Sequence, residues 1–156
     1  MRKKVLGTLL SFFCTIGLYA QSTVLTSPPL TVNNGQAGVT FNLEADTAIS
    51  ITEFYNVFYA GTQTVTIWHN TTAINGSPTV DAANGWNIIY TGTVTGATPN
   101  VSTIALPTPL NLQAGTHGFM IEGGSTSSVR YTTWTTANQD TFTDGTVTIY
   151  TGQNIG

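Results

Sequence analysis

Three large aromatic residues fall on the polar side of alternating segments, where stacking chemistry is available. In a strand, alternate residues point to opposite faces of the sheet. On this count Trp68 shares a face with neighbouring threonines, Trp134 shares a face with Arg130, and Tyr150 lies on the face opposite the apolar residues of its segment. Flat rings beside hydroxyl and amide groups can stack on a sugar ring while their polar edges stay hydrated. These four residues are the predicted ligand-binding set, for a polysaccharide or cell-surface glycan. The alternatives are a register shift that buries the rings and packing of this face against another segment or domain.

Carboxylates are the second group of candidate functional residues, because a pair of acidic side chains can catalyse glycoside hydrolysis. Glu44, Glu53 and Glu122 all lie in predicted strands. Glu44 alternates outward, whereas strict alternation would turn Glu53 inward unless the strand bends there. A small glycoside hydrolase acting through Glu53 or Glu122 is therefore the enzymatic alternative. The prediction is a non-enzyme with no catalytic residue.

Histidine chemistry has weaker support. His69 and His117 do not share a two-histidine spacing on one element, so a zinc site is not predicted. No Gly-x-Ser-x-Gly elbow supports a serine nucleophile. We expect two exposed or hydrogen-bonded strand histidines.

No cofactor and no metal ligand are predicted, with structural calcium as the alternative for the acidic turns. Asp140, Thr141 and Asp144 flank one turn, and Asp81 and Asn84 flank another. Neither matches a twelve-residue calcium loop. Ordinary turn-forming aspartates are the expectation.

The elements that position these residues are short strands. Thr, Val, Ile, Tyr and Phe are frequent, and no sustained helical stripe occurs. Nine segments read as strands, with Trp86 in the core: residues 39–44, 49–51, 54–60, 65–67, 86–94, 101–106, 119–121, 129–131 and 147–149. Turn signals separate them at Asn33-Asn34-Gly35, Asn75-Gly76, Asn84-Gly85, residues 96–99, Gly123-Gly124 and Asp144-Gly145. The pattern predicts an all-β, antiparallel, jelly-roll-like β-sandwich of about nine strands.

The N-terminus predicts export. Three basic residues at positions 2–4 precede an apolar run of about 14 residues, shorter than the roughly 20 that span a bilayer. Residues 1–20 are the predicted signal peptide, cleaved after Ala20. A lipid anchor on Cys14 is the weaker alternative. We expect a secreted or cell-surface protein, with no membrane insertion after cleavage.

Removing residues 1–20 changes the composition of the chain. Arg130 remains as the only Lys or Arg against seven acids, so residues 21–156 carry a side-chain charge of −6. Such a domain cannot neutralise phosphates, which makes nucleic acid and anionic lipid poor partners. The only cysteine, Cys14, also leaves, which excludes disulfides and thiol chemistry.

The chain also resembles the secreted β-sandwich modules of Bacteroidetes-type surface proteins. The resemblance rests on residues 38–46, 65–68, 85–92, 110–121 and 141–152, which are turns and core strands. It implies a non-catalytic module, often followed by further domains and a sorting signal, and it implies no site residue.

One domain is predicted over residues 21–156, either complete or the N-terminal domain of a longer protein. The predicted function is an exported, non-catalytic module for extracellular adhesion or glycan binding. A structural or spacer domain of a larger surface protein is the second alternative, beside the hydrolase.

Overall fold

The computed structural model describes residues 23–25, 32–132 and 141–151. This part of the chain forms ten strands and one short 3-10 helix, Ala82–Asn84. The predicted signal peptide lies outside the described residues. The strands are β1 (Asn34–Gln36), β2 (Gly38–Ala45), β3 (Ile49–Phe58), β4 (Gly61–Asn70), β5 (Asn87–Gly96), β6 (Val101–Leu112), β7 (Gly115–Gly123), β8 (Val129–Tyr131), β9 (Thr141–Thr143) and β10 (Val147–Tyr150).

The strands form two antiparallel sheets with jelly-roll connectivity, as predicted. One sheet has the order β1-β8-β3-β6 and the other β5-β4-β7-β2-β10-β9. The strand pairs are those of one long hairpin that is rolled across two sheets, as in a jelly roll. They are β1 with β8, β2 with β7, β3 with β6 and β4 with β5. The hairpin β9–β10 extends the six-stranded sheet beside β2.

The hydrophobic core lies between the two sheets. Alternation of apolar and polar residues sends one phase of each strand inward, which is how a sandwich buries its apolar surface. The largest fully buried side chains are Phe58, Phe119, Ile67, Ile104 and Leu112. The opposite phase forms an outer face on each sheet, and the candidate site depends on these faces.

The strands differ from the predicted segments in their bounds and number; β4, β6 and β7 extend beyond the predicted residues. The segments 49–51 and 54–60 belong to one strand, β3, and the short strands β1 and β9 were not predicted. Residues Asn34-Gly35 of a predicted turn pair with β8 instead. Short strands carry too few alternating residues to be recognised without their partners.

The bend predicted near Glu53 is confirmed. The register of β3 against β6 shifts between Ile51 and Glu53. Glu53 is therefore exposed, while Phe54 turns into the core. An extra residue at a β-bulge changes the phase of everything after it, so strict alternation cannot be carried across this point.

Candidate binding site

The outer face of the six-stranded sheet brings Trp68 into a row of large side chains. The register sets Trp68 of β4 opposite Ile88 of β5 and Met120 of β7. Met120 in turn lies opposite Thr40 of β2. Ile88 is 54% exposed and Trp68 is half-buried. The outward position predicted for Trp68 is therefore what the structure shows, with an apolar neighbour on each side.

A hydrogen bond fixes the Trp68 ring. Its Nε1 donates to Oε2 of Glu122, on the adjacent strand β7, at 2.9 Å. The strand register shifts between Ile67 and Trp68 in the pairing with β5, which places a bulge at the ring. A bonded, flanked indole has less rotamer freedom to lose when a ligand stacks on it.

Tyr150 lies on the same outer face, farther across the sheet. Its hydroxyl donates to Oε2 of Glu44 at 2.7 Å. This hydrogen bond, with the nearby carboxylate charge, raises the pKa of Tyr150 above its ordinary value. Strands β7 and β2 separate β4 from β10, so Trp68 and Tyr150 stand about 14 Å apart across the strands. Both rings could contact one extended ligand but not one sugar residue.

The loop between β4 and β5, residues 71–86, folds over the end of this outer face. The Asn42 amide binds the backbone of Ile74 through both its groups, at 3.0 and 2.7 Å. Gly118 lies beneath the loop, where a Cβ would stand 2.9 Å from Ile74 Cγ1 and 3.0 Å from the Thr72 carbonyl oxygen. The close approach depends on this glycine having no side chain.

The loop forms an open cleft of about 230 Å³ with Asn70 of β4. No charged residue lines it, and Asn70, which follows Trp68 by two residues on the outward phase, forms part of its wall. The Asn70 amide joins the loop ends by bonds to Asn84 and Thr72. Among the residues that line the cleft, Thr72, Asn75 and Thr79 have polar side chains with no hydrogen-bond partner within the described residues.

Trp86 is buried, as predicted, but its surroundings differ from those expected. It is 4% exposed and lines the cleft with Asn70 and Ile74, apart from the core cluster between the sheets. Asp81 caps the 3-10 helix that precedes it, and Gly85 ends that helix with φ of 82°. The cleft is therefore an uncharged, amide-rich space with an indole in its wall, suited to a small neutral polar ring.

Arg130, another residue of the predicted binding set, is not on this face. Arg130 points away from the core, as predicted, but from the outer face of the four-stranded sheet, where it lies opposite Gly35 and Val57. The predicted set of four residues is thus split between two surfaces. Trp134 lies outside the described residues.

The three glutamates considered for a glycoside hydrolase lie far from one another. Each accepts a hydrogen bond from an aromatic side chain: Glu44 from Tyr150, Glu122 from Trp68, and Glu53 from Tyr55. Glu122 lies opposite Gly38, six residues along β2 from Glu44, which is about 20 Å. Glu53 belongs to the other sheet. Paired carboxylates of glycosidases stand roughly 5–9.5 Å apart, so these residues do not form such a pair.

The two histidines meet inside the sandwich, a contact that their sequence spacing did not predict. His69 Nε2 lies 3.1 Å from His117 Nδ1, and His117 Nε2 lies 3.0 Å from the Gln113 carbonyl oxygen. Both are hydrogen-bonded, as expected, and both are buried. Burial, then the neighbouring His117, lowers the pKa of His69 to about 4. Each shares the inward phase of its strand, which is the signal that could have revealed the pair.

Asp144 and Asp81, at the turns where structural calcium was the alternative, cap their turns through hydrogen bonds. Asp144 Oδ1 accepts hydrogen bonds from the backbone of Thr146 and Val147, which lowers the pKa of Asp144. Asp81 accepts from the backbone and amide of Asn84. Within the described residues no three metal-binding side chains cluster. Asp140 lies outside that part of the chain.

Comparison with protein-family models, curated proteins and solved structures finds no match to this chain. Among the described residues, no helix has the length and apolar character to cross a membrane.

Proposed function

We propose that this protein is an exported, non-catalytic β-sandwich module that binds neutral glycans through the outer face of its six-stranded sheet. The observation that supports the proposal is the Trp68 ring, held by Glu122 and flanked by exposed Ile88, on the strand whose next outward residue, Asn70, lines an uncharged cleft. Tyr150 adds a second ring to the same face. Export rests on the signal-peptide pattern of residues 1–20 and on the resemblance to secreted surface modules.

Sugar recognition fits the chemistry of this surface. A pyranose ring presents C–H groups on its faces and hydroxyls around its rim, so it needs an apolar platform next to hydrogen-bonding groups. Trp68 and Ile88 supply the platform. Thr72, Asn75 and Thr79 supply hydroxyl and amide groups with no partner in the described residues. The lack of charge in the cleft favours a neutral sugar.

The test is binding of the mature protein to neutral polysaccharides in affinity gels, with β-glucan, uronate-free xylan and galactomannan as probes. Trp68→Ala should weaken retention by at least about ten-fold, the factor that 1.4 kcal/mol produces. Asn75→Ala should weaken it less, because it removes one amide from the cleft.

Tyr55→Ala is the matched control. Tyr55 is also an outward ring bonded to a glutamate, but it lies on the four-stranded sheet. Its removal should leave retention unchanged. Equal losses in Tyr55→Ala and Trp68→Ala, or failure of the wild type to bind any of the three polysaccharides, would overturn the proposal.

A further inference from the structure

The loop between β4 and β5 is held on the outer face by one row of residues across three strands. In that row Gly118 of β7 lies between Asn70 of β4 and Asn42 of β2. Asn70 Oδ1 accepts a hydrogen bond from the backbone nitrogen of Thr72 at 3.0 Å. Asn42 Oδ1 accepts one from the backbone nitrogen of Ile74 at 2.7 Å. Two amides therefore hold the loop over a glycine, and the hold depends on the spacing of these strands.

The histidine pair joins two of the same strands on the inner side of this row. His69 precedes Asn70 on β4, and His117 precedes Gly118 on β7. Successive residues of a strand point to opposite faces of the sheet, so each imidazole lies inside where its neighbour faces out. The contact between His69 Nε2 and His117 Nδ1, at 3.1 Å, thus links β4 to β7 directly beneath the held loop.

The pair can accommodate one added proton but not two. The Gln113 carbonyl oxygen can only accept a hydrogen bond, so His117 Nε2, 3.0 Å away, carries a hydrogen. In the neutral pair His69 Nε2 then donates to His117 Nδ1, and after one protonation a donor still faces an acceptor. After a second protonation both facing nitrogens carry hydrogens, and two like charges lie in contact. The doubly protonated pair must therefore separate.

No carboxylate within the described residues compensates for charge on the pair. The other titratable side chains of the surrounding strands and loop, with one exception, are exposed, on the outward phase or engaged in a turn: Glu44, Asp46, Glu53, Tyr55, Asp81 and Glu122. The exception, Tyr90, points its hydroxyl over Gly92 and away from His69. Burial, and then the neighbouring His117, lowers the pKa of His69 to about 4.

We propose that His69 and His117 form an acid-sensitive latch, which holds the loop on the outer face near neutral pH and releases it when both imidazoles are protonated. Separation of β4 from β7 at the latch moves Asn70 away from Gly118, so the loop is no longer held from both sides. The cleft that the loop forms with Asn70 then loses its shape. The latch goes beyond the proposed function and does not depend on it, because the loop can be observed without a ligand.

The test is nuclear Overhauser spectroscopy of the free mature protein over a series of pH values. The cross-peak between Gly118 Hα and the Ile74 methyl groups reports the closed loop, and cross-strand peaks between β3 and β6 report the intact sandwich. The open state should take up the second proton near pH 6.5, and the closed state only near pH 4, so acid should favour opening. The Gly118–Ile74 peak should fall by about half or more across this window. The peaks between β3 and β6 should persist.

Two variants remove the second proton from the latch. In His69→Gln the side-chain amide replaces Nε2 and does not titrate, so the Gly118–Ile74 peak should be the same at pH 6.5 and pH 4. In His117→Asn the amide replaces Nδ1, and the remaining imidazole has no like charge beside it when protonated. This peak should also persist. Either variant gives the test if the other does not fold.

Persistence of the Gly118–Ile74 peak at pH 4 in the wild type would overturn the proposal. So would its loss in either folded variant to the same extent as in the wild type. Simultaneous loss of the peaks between β3 and β6 would also overturn it, since the whole domain would then unfold and the loop would have no latch of its own.

Discussion

The two outer faces of the sandwich carry similar residues in different surroundings. On the six-stranded sheet, Trp68 lies between two large neighbours and donates to Glu122, and the same face carries a loop that Asn42 holds by two hydrogen bonds. On the four-stranded sheet, Tyr55 is exposed and bonded only to Glu53, two residues away on the same strand. One aromatic–carboxylate pair joins neighbouring strands, and the other lies along one strand.

This difference shows that an outward-facing aromatic residue does not by itself define a binding site. Alternation identifies a ring that faces away from the core, but neighbouring strands and loops decide whether the ring is fixed or mobile and whether its surroundings are charged. The six-stranded face has an uncharged cleft, whereas the four-stranded face has Arg130, whose Nε has no hydrogen-bond partner within the described residues. The binding site proposed on the six-stranded face follows from those surroundings, and the following experiments test the contrast.

The largest expected effect is a loss of stability in acid, which arises from His69 in the interior and not from a group on either outer face. The pKa of His69 is about 4 in the folded protein and about 6.5 when unfolded, so the unfolded chain takes up the proton first. Stability is then full above pH 6.5 and falls by about 2–3 kcal/mol as the pH drops towards 4. Urea unfolding at a series of pH values measures the fall.

His69→Gln tests the source of that fall, because glutamine does not titrate and can still hydrogen-bond. Its stability should change much less between pH 6.5 and 4. Glu122→Gln, on the outer face, should retain the wild-type slope. A His69→Gln slope equal to that of the wild type would place the acid response elsewhere.

Two glycine substitutions should distinguish the covered face from the bare one. Gly118→Ala drives a Cβ against Ile74 and the Thr72 backbone, so it should cost about 1–3 kcal/mol and displace the loop over the cleft. Gly35→Ala meets the flexible tip of Arg130, which can move, and should cost less. Chemical denaturation of both variants gives the comparison; equal costs would mean that the loop yields as readily as the arginine.

Of the Trp68–Glu122 and Tyr55–Glu53 pairs, we expect only the first to contribute to the free energy of unfolding. Glu122→Ala leaves the half-buried Trp68 Nε1 without its acceptor and should cost about 1 kcal/mol. Glu53→Ala removes an exposed contact and should cost close to nothing. Indole fluorescence should change in the first variant only. Equal stability losses would contradict the contrast between the faces.

The smallest effect concerns tyrosine ionisation. Hydrogen bonds to Glu53 and Glu44 raise the pKa of Tyr55 and Tyr150 respectively. Glu53→Gln should lower the pKa of Tyr55, and Glu44→Gln that of Tyr150, because the phenolate would no longer form beside a carboxylate. Ultraviolet absorbance titration measures both. An unchanged titration curve would mean that these hydrogen bonds do not persist in solution.

Much of the fold could be predicted from residue patterns. Alternation and turn residues indicated an antiparallel sandwich, the outward phase of Trp68, Tyr150 and Arg130, and the bend before Phe54. The strands β1 and β9 could not be predicted, since three residues carry little periodic signal and are held by pairing with distant segments. The cleft could not be predicted either, because Asn42 and Gly118 meet the loop at Ile74 through tertiary packing.

The sequence by itself determined the β architecture, the outward phase of the aromatic residues and the scarcity of basic side chains, because these depend on residue type and a two-residue period. Only the tertiary structure decided which residues share a surface. It separated Arg130 from Trp68, joined His69 to His117 and placed Trp86 in the wall of the cleft. The physical reason is that strand order, register and bulges arise from long-range pairing, and a period of two does not encode which sheet a strand joins.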